Sequence, residues 1–149
     1  MKIQKSPWKS LFFVAVQFIT LGAIGLTGPF IAKNGWYFTL EMAGLVLGIW
    51  AVMIMRPGNF NIAPDPLTRS ELVKEGPYRL IRHPMYLALL LTTLPLILDS
   101  FSIFRLLFWV ILLVDLVLKM QYEEKLLLAG VDKYDLYIQK SYRIIPFIC

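Results

Sequence analysis

The sequence predicts an all-α, polytopic membrane protein with about four transmembrane helices and a C-terminal cytoplasmic, interfacial helix. Three observations carry this expectation. Of 149 residues, 58% are apolar and 17% charged, with a mean hydropathy of +0.64; a soluble domain holds about 45–50% apolar and about 25% charged residues. The apolar residues gather in four stretches, 11–31, 36–55, 84–98 and 101–118. The basic residues are sorted to one side of those stretches.

The first stretch, 11–31, has no charge and follows Lys2, Lys5 and Lys9. It looks like a signal peptide but exceeds a 7–15-residue apolar region, so it is expected to be an uncleaved first span. The second, 36–55, carries one charge, Glu41, near its outer end where solvation is easy. At 1.5 Å per residue both cross a bilayer core of about 30 Å. The third, 84–98, is uncharged but reaches only about 22 Å. The fourth, 101–118, has Arg105 near one end and Asp115 near the other. Breakers at Arg56-Pro57-Gly58-Asn59 and Pro64-Asp65-Pro66 exclude continuous helix between the second and third. After the fourth, good helix formers predict a tail helix over about 120–142, with Gly130 as a point of interruption. Its Tyr134, Tyr137 and Tyr142 suit a membrane surface. The whole chain reads as one membrane domain, 1–149.

Three basic residues precede the first stretch, five lie between the second and third, and five follow the fourth; only Lys33 and Arg105 fall on the other side. Basic loops stay cytoplasmic, so both termini are expected there. The net charge of +5 then follows from topology and anionic headgroups, and no nucleic-acid partner is expected. The only cysteine, Cys149, offers neither a disulfide nor a thiolate metal site within the chain. No metal site is expected.

Polar chemistry concentrates at two places. One is Gly76-Pro77-Tyr78-Arg79-Leu80-Ile81-Arg82-His83-Pro84-Met85-Tyr86, where Pro84 opens the third helix at a favoured position for proline. The only histidine therefore sits at a helix mouth, beside N–H groups that hold carboxylates or phosphates. An interfacial belt of Tyr and Arg is the structural alternative. The other place is the last span and tail, where Asp115, Lys119 and Glu123 are four apart and share one face, with Glu124 beside them. They form either an ion-pair ladder or a negative surface for a cationic ligand.

Together with Tyr134-Asp135-Leu136-Tyr137 and Arg143-Ile144-Ile145-Pro146, these segments resemble the isoprenylcysteine carboxyl methyltransferase and phospholipid N-methyltransferase group, over roughly 71–146. These are integral-membrane enzymes that use S-adenosylmethionine. The resemblance implies that Tyr78, His83, Pro84, Met85 and Tyr86 line the cofactor site, with Ser70 to Val73, including Leu72, leading into it. It implies that Glu123, more than Glu124, holds the cofactor's amino group. Arg82, Lys119 and Arg143 become candidate substrate contacts. The sequence departs from the group in three ways: Lys119 stands where an arginine is common, Ala88 where a glycine is common, and the tail is one residue shorter before Tyr134. Lysine keeps the charge but lacks the bidentate fork.

The cofactor's charges fit these residues: the helix mouth with His83 for its carboxylate, Glu123 for its ammonium, tail aromatics for its adenine. No G-x-G-x-x-G follows a strand, which excludes the soluble-type fold. The expected function is methyl transfer to a lipophilic acceptor, such as a prenylcysteine-type carboxylate. A phospholipid amine or a small thiol is the alternative acceptor. Outside enzymes, the rivals are a small multidrug-type transporter built on Glu41 and a membrane scaffold.

Overall fold

The computed structural model describes residues 6–55, 72–131 and 134–144. The breakers expected at 56–66 and Ser70 lie outside these residues. All-α architecture is found: among the described residues there are five helices and one short 3₁₀ turn, with a single isolated bridge between extended residues.

Helix α1 runs Pro7–Leu26, with proline in its first turn. It stops five residues short of the apolar stretch because Thr27-Gly28-Pro29 cannot continue it. Helix α2 runs Gly35–Met55. Both are long and apolar enough to cross a bilayer, yet only 22% and 17% of their apolar windows are buried. The core helix of a soluble protein would be largely covered; here Phe12, Phe18, Ile19, Val46 and Ile49 stand exposed, as lipid contact requires. The 3₁₀ turn, Gly76–Arg79, begins at a glycine with φ of 56°, where a side chain would also press on Ile54 and Trp50. Helix α3 runs Pro84–Asp99, about 24 Å long.

Helix α4 corrects the expected order. It runs Ile103–Gly130 without a break, so the fourth apolar stretch and the start of the tail are one helix of 28 residues. No glycine or proline interrupts 103–129, and nothing in that run resists helix. At about 42 Å it exceeds the bilayer core. The tail helix expected over 120–142 is therefore not a separate element. After Gly130 only the short α5, Tyr134–Ile138, is helical. Residues near 142 are extended, and Tyr142 bridges Ile81 in parallel.

The helices pair as α1 with α4 and α2 with α3, and the two pairs meet through α3 and α4. Ile24, Leu90, Ile97, Leu112 and Leu116 form the shared core. The α1–α2 loop is tied down by carboxylates: Glu41 accepts from the Ala32 N–H at 2.9 Å, and Asp99 from those of Lys33 and Asn34 at 2.8 and 3.0 Å. Glu41 is therefore not solvated, as its position suggested, but 2% exposed and committed to the loop. Arg105 is also buried, and donates to the carbonyls of Leu96 and Ser100.

Close approach of α2 and α3 rests on small residues. A Cβ at Gly44 would lie 2.7 Å from the Thr92 backbone nitrogen, and one at Gly48 would lie 3.3 Å from the Ala88 methyl. Small residues four apart let helix backbones meet in a membrane. Gly44→Ala is accordingly expected to destabilise the protein by about 1–3 kcal/mol, read as a lower unfolding midpoint in detergent. Gly22→Ala, with nothing within 4 Å of its new methyl, serves as the control. Equal midpoints for the two variants would refute this account of the α2–α3 contact.

Candidate functional site

Pro84 cannot donate a backbone hydrogen bond, so α3 starts where the chain swings out of the 3₁₀ turn, and His83 becomes its N-cap residue. The carbonyl of His83 accepts the N–H groups of Tyr86 and Leu87. Its own N–H donates to the Arg143 carbonyl at 3.1 Å, and that of Arg82 donates to the Tyr142 carbonyl at 2.7 Å. The C-terminal segment thus holds the start of α3 in place.

The His83 ring is stacked on Tyr86, centroids 5.3 Å apart and planes within 2°. It lies between two carboxylates of α4. Nδ1 is 3.8 Å from Glu123 Oε2, and Nε2 is 3.5 Å from Glu124 Oε1. Consecutive residues on a helix are about 100° apart, and the two glutamates accordingly serve different surroundings. Glu123 accepts a hydrogen bond from the Tyr86 hydroxyl at 3.0 Å and keeps its side chain 28% exposed. Glu124, 5% exposed at its side chain, accepts from Arg82 Nε at 2.8 Å and Arg143 Nε at 3.0 Å. Arg82 also donates to the carbonyls of Ile138 and Ser141. Burial alone would raise the Glu124 carboxyl, but the His83 and Arg82 side chains against it outweigh burial and hold it down at about 2.

One turn before Glu123, the Lys119 ammonium donates to Gln17 Oε1 at 2.7 Å and lies 5.2 Å from the centre of the Tyr86 ring. The ladder with Asp115 and Glu123 is thus replaced by a contact to α1. Asp115 is buried, and its Oδ2 has no hydrogen-bond partner.

These groups open onto a cavity of about 670 Å³ between the two helix pairs. Its walls are largely apolar: Phe18 and Leu21 of α1, Leu45, Ile49 and Val52 of α2, Ala88 and Leu89 of α3. Its polar end holds Gln17, Tyr78, Arg82, His83, Lys119 and Glu123. Of the sequence-derived site residues, Tyr78, His83, Pro84, Met85, Tyr86, Glu123, Arg82 and Lys119 line it. Leu72 and Val73 are half-buried but stand outside its wall. Glu124 and Arg143 also stand outside it and pair with each other. The tail aromatics are absent from the wall too: Tyr137 donates its hydroxyl to the Tyr78 carbonyl, and the Tyr134 ring lies tilted against it, centroids 5.8 Å apart. Burial pushes the Tyr137 phenol up to about 12 and raises those of Tyr78 and Tyr134 further, so all three stay protonated donors. The Tyr78 hydroxyl is buried without a partner, and so is His83 Nε2.

Two contributors had gone unnoticed in the sequence. Gln17 belongs to a polar line on α1 that buries Ser10, Gln17 and Thr20; a glutamine inside an uncharged span was the signal. Gly44 and Gly48, a G-x-x-x-G inside an apolar helix, set the α2 wall.

Comparison with known families places this geometry. A search of curated proteins finds no match. The family profile for phospholipid methyltransferase matches residues 36–130, from the start of α2 to the end of α4. The match thus includes the second apolar stretch, which lies before the 71–146 over which the sequence resembles the family. Covering well over half of the chain and every helix of the cavity except α1, it shows that this protein belongs to the phospholipid methyltransferase family, a family of membrane methyltransferases.

Proposed function

We propose that this protein is a membrane-embedded, S-adenosylmethionine-dependent methyltransferase acting on a lipophilic acceptor, such as a prenylcysteine-type carboxylate. The observation that carries the reading is a partly exposed carboxylate, Glu123, 3.8 Å from His83 Nδ1 at the polar end of an otherwise apolar cavity. The donor set fits the cofactor. Glu123 is an acceptor for an ammonium, and Tyr78 brings a buried hydroxyl that has no hydrogen-bond partner in the protein. In this reading the chain crosses the bilayer four times with both termini cytoplasmic, and the excess length of α4 carries Glu123 and Glu124 out to the membrane surface.

When bound, S-adenosylmethionine supplies an electrophilic methyl on a sulfonium, which an acceptor displaces in line. The chain's own contribution is alignment and dryness. Well-oriented reactants gain roughly 7–11 kcal/mol in barrier. Glu123 and His83 fix one reactant, the apolar walls of α1 and α2 take the tail of the other, and the same walls exclude water. A carboxylate acceptor needs no base, which leaves His83 and Glu123 to hold the cofactor. A phospholipid amine is the reading the family description favours.

Calorimetric titration of S-adenosylmethionine into the protein in nanodiscs tests the assignment. Micromolar binding is expected. His83→Ala should weaken it at least tenfold, roughly 1.4 kcal/mol, the loss of one charge-assisted contact. No binding to folded wild-type protein rejects the proposal, and unchanged affinity in the variant removes His83 from the site.

A further inference from the structure

We infer that Gln17 is a specificity-determining residue: by holding the Lys119 ammonium at the polar end of the cavity, it makes the site select lipophilic acceptors that carry an anionic oxygen group. This rests on the methyltransferase reading and names its substrate class.

The geometry sets Lys119 apart from the other cations of the site. Arg82 and Arg143 are neutralised by Glu124. Among the described residues, Lys119 is in no such ion pair. The residue is 1% exposed, and its ammonium meets the Gln17 amide oxygen at 2.7 Å and the face of Tyr86 at 5.2 Å, with Asp115 and Glu123 one turn to either side on α4. An ammonium has three donors, and a buried charge is costly unless it is paired. The Gln17 oxygen and the Tyr86 ring ease that cost without cancelling the charge. Once Glu123 is taken up by the cofactor's ammonium, Lys119 is the charge left facing the apolar cavity, and its need is an anion.

The residue type at position 17 matters. A glutamine accepts a hydrogen bond and leaves the ammonium's charge free for a ligand; a glutamate in the same place would consume it. Gln17 is 8% exposed and neighbours Phe18, which is more than half exposed and shares the cavity wall. Adjacent residues of α1 thus present both an apolar surface for a chain and the group that positions its head. Helix α1 also lies outside the family-matched 36–130.

Binding of cis-parinaric acid, a fluorescent fatty carboxylate, and of its methyl ester tests this by energy transfer from the protein's tryptophans in maltoside micelles. Wild-type protein should bind the acid at least tenfold more tightly than the ester. Gln17→Glu should reduce that preference to within threefold, because the new carboxylate takes up the ammonium. Should Gln17→Glu fail to fold, Lys119→Gln must show the same collapse. No preference in wild type, or a preference surviving these changes, overturns the inference. Competition separates the sources of the anion. Displacement by oleate marks a carboxylate acceptor, displacement by phosphatidylglycerol marks a phosphodiester, and displacement by neither overturns the inference. S-adenosylmethionine binding is measured in the same preparations: its failure rejects the methyltransferase reading while leaving the acid–ester comparison intact.

Discussion

Glu123→Gln is expected to weaken S-adenosylmethionine binding by at least about thirtyfold, roughly 2 kcal/mol, and to reduce methyl transfer by at least as much. The substitution is nearly isosteric. Its amide oxygen still accepts the Tyr86 hydroxyl, now 3.0 Å from Oε2, so the stack of Tyr86 on His83 should survive. What disappears is the negative charge facing an ammonium. Because the side chain is 28% exposed and makes no buried ion pair, unfolding in detergent should stay within about 1 kcal/mol of wild type. The combination is diagnostic: lost affinity with a retained fold places the cofactor's amino group at Glu123. Unchanged affinity would place it elsewhere and leave Glu123 as an anchor for Tyr86.

The neighbouring Glu124 should behave in the opposite way. Glu124→Leu strips the partner from Arg82, whose side chain is 7% exposed. Removing one member of a buried pair costs about 3–5 kcal/mol, because the remaining charge stays buried and uncompensated. The Arg143 pair adds little, since that side chain is 47% exposed and screened. Loss should therefore appear as a large drop in the unfolding midpoint, with easier proteolysis of the segment around Ser141–Arg143 that Arg82 holds. Acid should mimic the substitution. The Glu124 carboxyl lies at about 2 in the folded protein, below its ordinary 4.5. A depressed carboxyl contributes stability that is fully present above pH 4.5 and is lost as pH falls toward 2. Thermal unfolding between those values should show wild type weakening and Glu124→Leu unresponsive to this component. Equal acid sensitivity in both would assign the effect to other carboxyls.

The contrast between adjacent glutamates shows where sequence reading stops. Spacing puts Glu123 and Glu124 side by side and gives no reason for one to face a cavity and the other to tie down the tail. That division follows from the rotation of α4, set by its contacts with α1 and α3. Lys119 was legible as a cation one turn before Glu123, but its partner is 102 residues away in the chain. No local pattern relates Gln17 to it.

The sequence by itself determined the helices that periodicity and hydropathy can read: α1, α2 and α3 lie close to the apolar stretches. It also determined the polar mouth at His83-Pro84, where proline fixes the start of a helix, and the family to which that mouth points. It placed a boundary near residue 119 because charge density changes there. The chain has no physical reason to break at that point, since Lys, Gln, Glu and Leu all continue a helix, and α4 runs on to Gly130. Only the tertiary structure decided which polar groups are spent and which remain available. Glu41 is consumed by a loop N–H, Glu124 by two arginines, and Tyr137 by the turn before α3. Glu123 and Lys119 are left to face an apolar cavity. The physical reason is that burial penalises every unpaired polar atom, and pairing is settled by which helices meet, a relation between residues far apart in the chain.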